Sequence, residues 1–174
     1  MRRVLFIFGQ LSDDDIEWLV THGERHEAPK GETLIRQGVH VESLYFLIEG
    51  KMAVDAAGIG RVGLLGNGEV IGEMSFIDSS PPSATVVAQE DCLLLKIDKQ
   101  AILAHMERDH GFASRFYKAL AIFLSNRLRD TTLQLRGEKA PAEDELGDQL
   151  DDVVLKTVHL AGYRFNRLVE RVQK

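Results

Sequence analysis

Short apolar runs separated by glycine-bearing turns fill residues 27–97. Runs of this length at intervals of about 8–12 residues are typical of strands in a β-sandwich or barrel. No helix-length periodic segment interrupts the stretch, which argues against alternating strands and helices. The runs are residues 33–35, 43–48, 52–54, 62–65, 70–71, 84–88 and 93–97, and the glycines between them are Gly31, Gly38, Gly50, Gly58, Gly60, Gly66, Gly68 and Gly72. The pattern predicts an all-β roll.

Helical patterns lie on both sides of this roll. Ser12, with Asp15 three residues later, predicts a capped helix within residues 1 to about 26. Asp98 and Asp109 predict the caps of a short helix and of a long one, 109–135. Apolar residues recur along the long helix in steps of three and four, so this stripe can pack on the roll or along a partner helix. The stripe is Ala113, Tyr117, Leu120, Leu124, Leu128, Thr131 and Leu135.

The residues after 135 divide into a linker and a last helix. Seven carboxylates and one lysine occupy residues 137–152, so 136–152 is predicted to be a solvated acidic linker. Residues 153–174 are predicted to form an amphipathic helix, whose apolar face begins at residue 150. That face is Leu150, Val154, Val158, Ala161, Phe165, Leu168 and Val172, and the basic side is Lys156, Arg164, Arg167, Arg171 and Lys174. The basic side is either a solvated face or a surface for an acidic partner.

The net charge of −6 is unevenly distributed along the chain. Residues 1–152 carry 16 basic and 26 acidic groups, which gives −10, whereas residues 153–174 carry five basic and one acidic, which gives +4. An acidic body disfavours a protein whose whole surface contacts nucleic acid. Any acidic partner is therefore expected at the helix of residues 150–172.

Catalytic and metal-binding patterns are missing from the sequence. A single cysteine, Cys92, excludes a disulfide framework and a four-cysteine metal site, and its apolar strand predicts an inert thiol. His22 and His26 have metal-ligand spacing, but Gly23 breaks the helix between them. Without a nucleophile elbow, we expect no enzymatic activity. The apolar run 4–8 is too short for a signal peptide or membrane span, which predicts a soluble cytoplasmic chain.

Residues 58–63 satisfy the G-x-G-x-x-G pattern of dinucleotide-binding sites. That motif requires a helix to begin at the glycine turn. More glycines follow here instead, so the sequence predicts a hairpin turn.

The segment 72–88, GEMSFIDSSPPSATVVA, carries the strongest functional signal. Residues 72–75 predict a short helical turn whose free backbone N–H groups can hold an anion. Glu73 is placed beside this turn as a fixed acceptor suited to sugar hydroxyls. Ser83 and Ala84 enter a strand with small side chains, which leaves room for a ligand against the roll.

Over residues 8 to 135 the chain resembles the cyclic-nucleotide-binding domain family, found in bacterial catabolite activators, cyclic-nucleotide-dependent kinases and gated channels. The resemblance rests on PKGETLIRQG (29–38), SLYFLIEGKMAV (43–54), GNGEVIGEMSF (66–76), SATVVA (83–88) and LSNRLRDTTLQL (124–135). It implies an eight-stranded jelly roll with an N-terminal helix and a pair of C-terminal helices. It also implies a phosphate-binding cassette, here residues 72–84, with cyclic AMP or cyclic GMP as ligand.

Four cassette residues match family positions that hold the ligand. Gly72 and Glu73 match the Gly-Glu pair, whose glutamate binds the ribose 2′-hydroxyl. Met74 and Ser75 match the residues whose backbone amides face the cyclic phosphate.

Further matches complete the implied pocket. Ser83 and Ala84 match the Ser/Thr-Ala pair at its wall. Thr131 and Thr132 fall where the long helix of the catabolite activator offers hydroxyls to the purine.

Pro82 departs from the family pattern at the position where ligand-binding members carry an arginine. Arginine supplies a charged, bidentate fork to the phosphate, whereas proline supplies neither a charge nor an N–H group. Charge-assisted hydrogen bonds contribute about 1.5–3 kcal/mol each, so the loss lowers affinity on the order of 10–1,000-fold. The sequence offers three replacement cations: Arg36, Lys51 and Arg61.

Together these features predict a non-enzymatic regulatory protein with a cyclic-nucleotide-binding-like domain, residues 1–135. Ligand binding is expected to be weak, altered or lost, and the long helix is expected to form a homodimer. One alternative is a dimerisation scaffold with a vestigial pocket. Another is a transcription regulator, which the 39 residues after Leu135 do not favour, since they show a single basic helix and no wing.

Overall fold

The structure is a computed structural model that describes residues 7–136 and 152–173. The helices in chain order are α1 (Asp13–His22), α2 (Glu73–Ile77), α3 (Lys99–Arg108), α4 (His110–Leu135) and α5 (Asp152–Val172). The strands are β1 (Glu24–Ala28), β2 (Thr33–Ile35), β3 (Ser43–Glu49), β4 (Met52–Ala56), β5 (Gly60–Leu65), β6 (Val70–Ile71), β7 (Thr85–Ala88) and β8 (Cys92–Asp98). The predicted linker 136–152 falls almost entirely outside the described residues.

Two four-stranded antiparallel sheets form the body of the domain, with strand orders β1-β8-β3-β6 and β2-β7-β4-β5. Eight strands with an N-terminal helix and a long C-terminal helix are the predicted jelly roll, so the fold class is confirmed. The predicted runs match β2 to β8. The sequence missed β1, whose residues ERHEA bury only Ala28 and therefore show no apolar alternation.

Neighbouring residues of β3 and β8 point to opposite faces of one sheet, as the pleat requires. Leu47 and Leu94 pack in the cluster shared by the two sheets. Phe46 and Leu95 pack in a second cluster, which includes the helical residue Phe112. The first sheet is therefore buried on both faces, against the second sheet on one face and against helical residues such as Phe112 on the other.

Side-chain caps fix the helix starts where the sequence predicts them. The Ser12 hydroxyl accepts from the Asp15 N–H at 3.1 Å, and the Asp15 carboxylate accepts from the Ser12 N–H at 2.6 Å, which completes a capping box. Asp98 accepts from the Ala101 N–H at 2.9 Å, and Asp109 accepts from the Phe112 N–H at 2.8 Å. These three cap predictions are confirmed.

The long helix α4 buries a different face from the predicted stripe. Its fully buried residues are Phe112, Phe116, Ala119, Leu120 and Phe123. Of the predicted stripe, Leu120 belongs to this buried face, whereas Tyr117 is 44% exposed and Leu128 is 69% exposed. The stripe therefore includes a part that packs on the roll and a part that is largely exposed.

The apolar face of α5 packs against the N-terminal part of the domain. Ala161, Leu168 and Val172 are buried within the same cluster as Leu19 of α1. The half-buried Phe165 ring meets the Phe8 ring edge-on at 5.5 Å. The predicted apolar face is confirmed for these residues, while Leu150, Val154 and Val158 lie outside the described side chains.

Three arginines of α5 pair with acidic residues of α1. Arg164 contacts the Asp13 carboxylate at 2.6 Å. Arg167 and Arg171 contact the two oxygens of Glu17 at 3.0 and 3.1 Å. Arg164 is only 9% exposed, so the prediction of a solvated basic face is wrong for this residue. Its acidic partner is this chain's own first helix.

Trp18 of α1 lies between two histidine rings. Its centroid is 4.5 Å from that of His22 and 4.1 Å from that of His105, both nearly parallel to it. The Phe112 ring lies 5.4 Å away at a tilt. This aromatic stack joins α1, α3 and the start of α4.

The glycine-rich motif at 58–63 is a hairpin turn, as predicted. Gly58 and Gly60 have φ of 78° and 88°, which favour glycine, and they connect the paired strands β4 and β5. Within the described ranges, no helix combines the length and apolarity needed to cross a membrane, and no group of His, Cys, Asp or Glu could hold a metal ion. Burial raises the pKa of the Cys92 thiol, which disfavours the reactive thiolate.

Candidate ligand-binding site

A cavity of about 350 Å³ is bounded by the sheet β2-β7-β4-β5, by α2 with the cassette, and by one face of α4. This volume is within the range of pockets that take small molecules. Its apolar walls are Ile35, Val54, Val62, Leu64, Leu65, Ile71, Met74, Val86 and Phe123, together with Pro82 and Ala84. Its polar lining is Glu69, Glu73, Ser75, Ser83, Asn126, Arg127 and Thr131.

The cassette begins at Gly72, whose backbone lies in the left-handed region that favours glycine. Its φ is 91°, and a Cβ atom there would lie 3.1 Å from the Ser43 carbonyl oxygen. Glu73 follows as the first residue of α2 and is 3% exposed. The Ser75 hydroxyl donates to the Gly72 carbonyl at 3.2 Å, which closes the turn. All four residues 72–75 line the cavity, as the resemblance implied.

Pro82, Ser83 and Ala84 line the cavity just before β7. The Pro82 carbonyl accepts from the Gly38 N–H at 2.9 Å, which fixes this segment against the loop after β2. Pro82, where the resemblance implies an arginine, therefore lies at the cavity wall and carries no charge.

Arg127 is a cavity-lining residue that the sequence analysis did not assign to the site. It lies on α4, forms an ion pair with Glu73, and contacts Glu69 at 3.5 Å. Its guanidinium carbon is 5.3 Å from the centre of the Phe123 ring. The available signal was its spacing, because Phe123, Arg127 and Thr131 are four residues apart and share a helix face.

The two threonines predicted to face a purine differ in position. Thr131 lines the cavity, and its hydroxyl donates to the Arg127 carbonyl at 2.9 Å. Thr132 is exposed and does not line the cavity, and its hydroxyl donates to the Leu128 carbonyl at 2.8 Å. The structure brings together every predicted site residue except Thr132.

None of the three replacement cations suggested by the sequence lines the cavity. Arg36, Lys51 and Arg61 are exposed, and Arg61 pairs with Asp55 at 3.2 Å outside it. Arg127 is the one Lys or Arg among the described cavity-lining residues, and two carboxylates already neutralise it.

Lys99, at the start of α3, lies behind the cassette. Its ammonium donates to the Ser75 hydroxyl at 2.7 Å, and the residue is 8% exposed. Burial lowers the pKa of Lys99, and the nearby carboxylates of Glu42, Glu73 and Asp78 oppose that effect. Lys99 therefore supports the cassette through Ser75 and does not line the cavity.

Comparison with known proteins agrees with this geometry. Residues 25–109 match the family model of the cyclic nucleotide-binding domain. The cyclic AMP receptor protein of Thermus thermophilus is 32% identical over 133 residues, which cover 74% of this chain and 60% of the receptor. The chain thus spans less than two thirds of the length of that curated relative.

Solved structures show the same fold. The Thermus thermophilus catabolite activator protein matches with a TM-score of 0.62 at 25% identity, over 95% of this chain and 85% of the other. A cyclic nucleotide-binding domain from Methylobacillus flagellatus matches with a TM-score of 0.70 over 82% of this chain and 85% of that domain, and at 21% identity it shows the fold alone. This chain therefore carries a domain of the cyclic nucleotide-binding family, of the kind found in the catabolite activator protein.

Proposed function

We propose that this protein is a non-enzymatic, cytoplasmic regulatory module in which a small ligand in the cavity controls the position of α4. The observation that carries the proposal is that both the roll and α4 contribute residues to the lining of the cavity. Gly72 to Ser75 and Pro82 to Ala84 come from the roll, whereas Phe123, Asn126, Arg127 and Thr131 come from α4. A ligand that contacts both parts has a different affinity for each arrangement of α4, which is the requirement for a population shift.

The Arg127–Glu73 ion pair supports this coupling. It joins α4 directly to the cassette, and the Glu73 side chain is 4% exposed. A ligand hydroxyl bound by Glu73 would share this carboxylate with Arg127. Ligand binding is therefore expected to alter the contact that holds α4 against the roll.

Cyclic nucleotides are expected to bind weakly, because Pro82 supplies no charge at the cavity wall. The proposal predicts that Pro82→Arg strengthens binding of cyclic AMP or cyclic GMP by on the order of 10–1,000-fold. Isothermal titration calorimetry measures the affinity, and the thermal shift should follow RT ln(1 + [L]/Kd).

Ile59→Arg is the matched control for this substitution. Ile59 is 78% exposed at the β4–β5 hairpin and does not line the cavity. The substitution therefore adds the same positive charge as Pro82→Arg, but outside the cavity. Ile59→Arg should leave the affinity unchanged. A folded Pro82→Arg protein with no gain in affinity would show that the phosphate does not bind at this wall.

A homodimerisation scaffold is the second candidate function. The observation that favours it is the exposed apolar part of α4, with Tyr117 at 44% and Leu128 at 69%. On this alternative the cavity is vestigial. A dimer that shows no thermal shift with millimolar ligand, in either wild type or Pro82→Arg, would favour the scaffold over the ligand-responsive module.

A further inference from the structure

The described residues around the cavity carry more acidic than basic groups. Glu69 and Glu73 line it with Arg127 as their shared cation. Within the described lining, two carboxylates share one cation, so an anion entering the cavity meets a net negative charge.

A phosphate group has no free cation to bind within the described lining. Pro82 has neither charge nor N–H. Arg127 already pairs with Glu69 and Glu73, whose side chains are 1% and 4% exposed, so an anion that approaches Arg127 also approaches both carboxylates. Removing the partner of a buried carboxylate is strongly unfavourable, so Arg127 is expected to stay with the two glutamates.

The rest of the lining is well suited to an uncharged ligand with hydroxyls and a flat ring. Ser83, Asn126 and Thr131 line the cavity and carry uncharged polar groups that can bind ligand hydroxyls. Val54, Val86 and the other aliphatic walls provide an apolar surface for a ring. Neither interaction requires a negative charge on the ligand.

We propose that this cavity selects uncharged nucleosides over their cyclic phosphodiesters. The proposal rests on the proposed function, because it names the ligand class of the same site. It assigns the selectivity to Pro82 and to the Glu69–Glu73–Arg127 cluster. The excess of carboxylates excludes the phosphate, while the hydroxyl and ring contacts are retained.

The test is titration calorimetry of the full chain with adenosine, guanosine, cyclic AMP and cyclic GMP. At least one nucleoside should bind wild type about tenfold or more tightly than its own cyclic phosphodiester. Salt should strengthen cyclic nucleotide binding, because it screens the repulsion, and should leave nucleoside binding nearly unchanged.

Two substitutions locate the origin of the selectivity. Pro82→Arg should reverse the preference, so that the cyclic nucleotide binds about tenfold or more tightly than the nucleoside. Glu69→Gln keeps an acceptor for the Gly66 N–H, which contacts Glu69 at 3.2 Å, and should narrow the preference by removing one negative charge. Ile59→Arg and Glu90→Gln make the same charge changes at exposed positions outside the lining and should preserve it.

The outcomes separate this inference from the proposed function. Cyclic nucleotides that bind wild type as tightly as nucleosides, or more tightly, overturn the inference and leave the ligand-responsive module standing. A wild-type chain that binds none of the four compounds overturns both. The control substitutions could also change the nucleoside preference as much as the cavity substitutions do. That result would show that the preference originates outside the Glu69–Glu73–Arg127 cluster and would overturn the inference.

Discussion

Asp15 connects two parts of the domain through one carboxylate. It caps α1 by accepting from the Ser12 N–H, and it accepts two hydrogen bonds from Arg115 of α4 at 2.6 and 2.7 Å. The residue is 3% exposed. Burial opposes its ionisation, but the hydrogen bonds from Arg115 and Ser12 outweigh burial and hold the pKa of Asp15 below its ordinary value.

This lowered pKa predicts an acid-sensitive contribution to stability. A carboxylate with a depressed folded-state pKa stabilises the fold above its unfolded-state pKa, and the contribution is lost as the pH falls through the folded-state pKa. Asp15→Asn should lower the free energy of unfolding by about 1–3 kcal/mol at neutral pH. The difference from wild type should shrink below about pH 4. Urea denaturation followed by circular dichroism across this range measures it.

Asp14→Asn is the matched control, because Asp14 is an exposed carboxylate in the same first turn of α1. It should lower stability by much less at neutral pH. If Asp14→Asn and Asp15→Asn lowered stability equally at every pH, the Arg115 contact would have no role in the pH dependence.

At the scale of elements, α5 is held mainly by its apolar face. The Glu17 pairs join side chains that are 39–53% exposed, and pairs of that kind contribute about 0–1 kcal/mol. Leu168, by contrast, is fully buried against the core. The ionic contacts therefore fix the direction of α5, and the buried side chains provide most of the free energy of docking.

Leu168→Ala should lower the free energy of unfolding by about 2–5 kcal/mol, because it leaves a cavity in the core. Leu160→Ala makes the same chemical change on the same helix at a side that is 40% exposed, and it should cost much less. Urea denaturation of each variant measures the change in the free energy of unfolding from the shift of the midpoint, provided that the denaturant dependence (m value) is unchanged. Equal effects of the two substitutions would contradict the docked position of α5.

At the scale of the whole molecule, the exposed apolar residues of α4 predict a homodimer. Leu128 is 69% exposed on a helix whose N-terminal half buries Phe112, Phe116 and Leu120 against the roll. Leu128→Glu should weaken dimerisation by about tenfold or more, since a charge would be buried without a partner. Sedimentation equilibrium measures the dissociation constant.

Val39→Glu is the control for the dimer, because Val39 is 53% exposed in a loop of the roll and carries the same new charge. It should leave the dissociation constant unchanged. A wild-type chain that stays monomeric at high concentration, or a Leu128→Glu chain that dimerises like wild type, would exclude α4 as the interface.

Much of the fold could be predicted because its signals are local. The caps at Ser12, Asp98 and Asp109 and the glycines of the β4–β5 hairpin depend on residues within a few positions of each other. Strand β1 gave no such signal, because its pairing with β8 comes from a segment some 70 residues away.

The candidate site was easier to predict where residues close together in the sequence build it. Gly72 to Ser75 and Pro82 to Ala84 are close together in the chain, and these residues, which the family resemblance named, line the cavity. Arg127 reaches Glu73 across 54 positions of sequence, so composition and spacing could not pair them. The roles assigned to these residues in binding remain predictions.

The stacked Trp18 provides an intrinsic fluorescence probe of the helices around it. It is the single tryptophan of the chain, and it belongs to the α1–α3–α4 junction rather than to the cavity. We therefore expect its fluorescence to respond to the orientation of these helices and not to ligand occupancy alone. A compound that fills the cavity and leaves α4 in place is optically silent, whereas one that shifts the start of α4 changes the emission. Heat released on binding and light emitted from Trp18 thus distinguish recognition of a ligand from transmission of its signal.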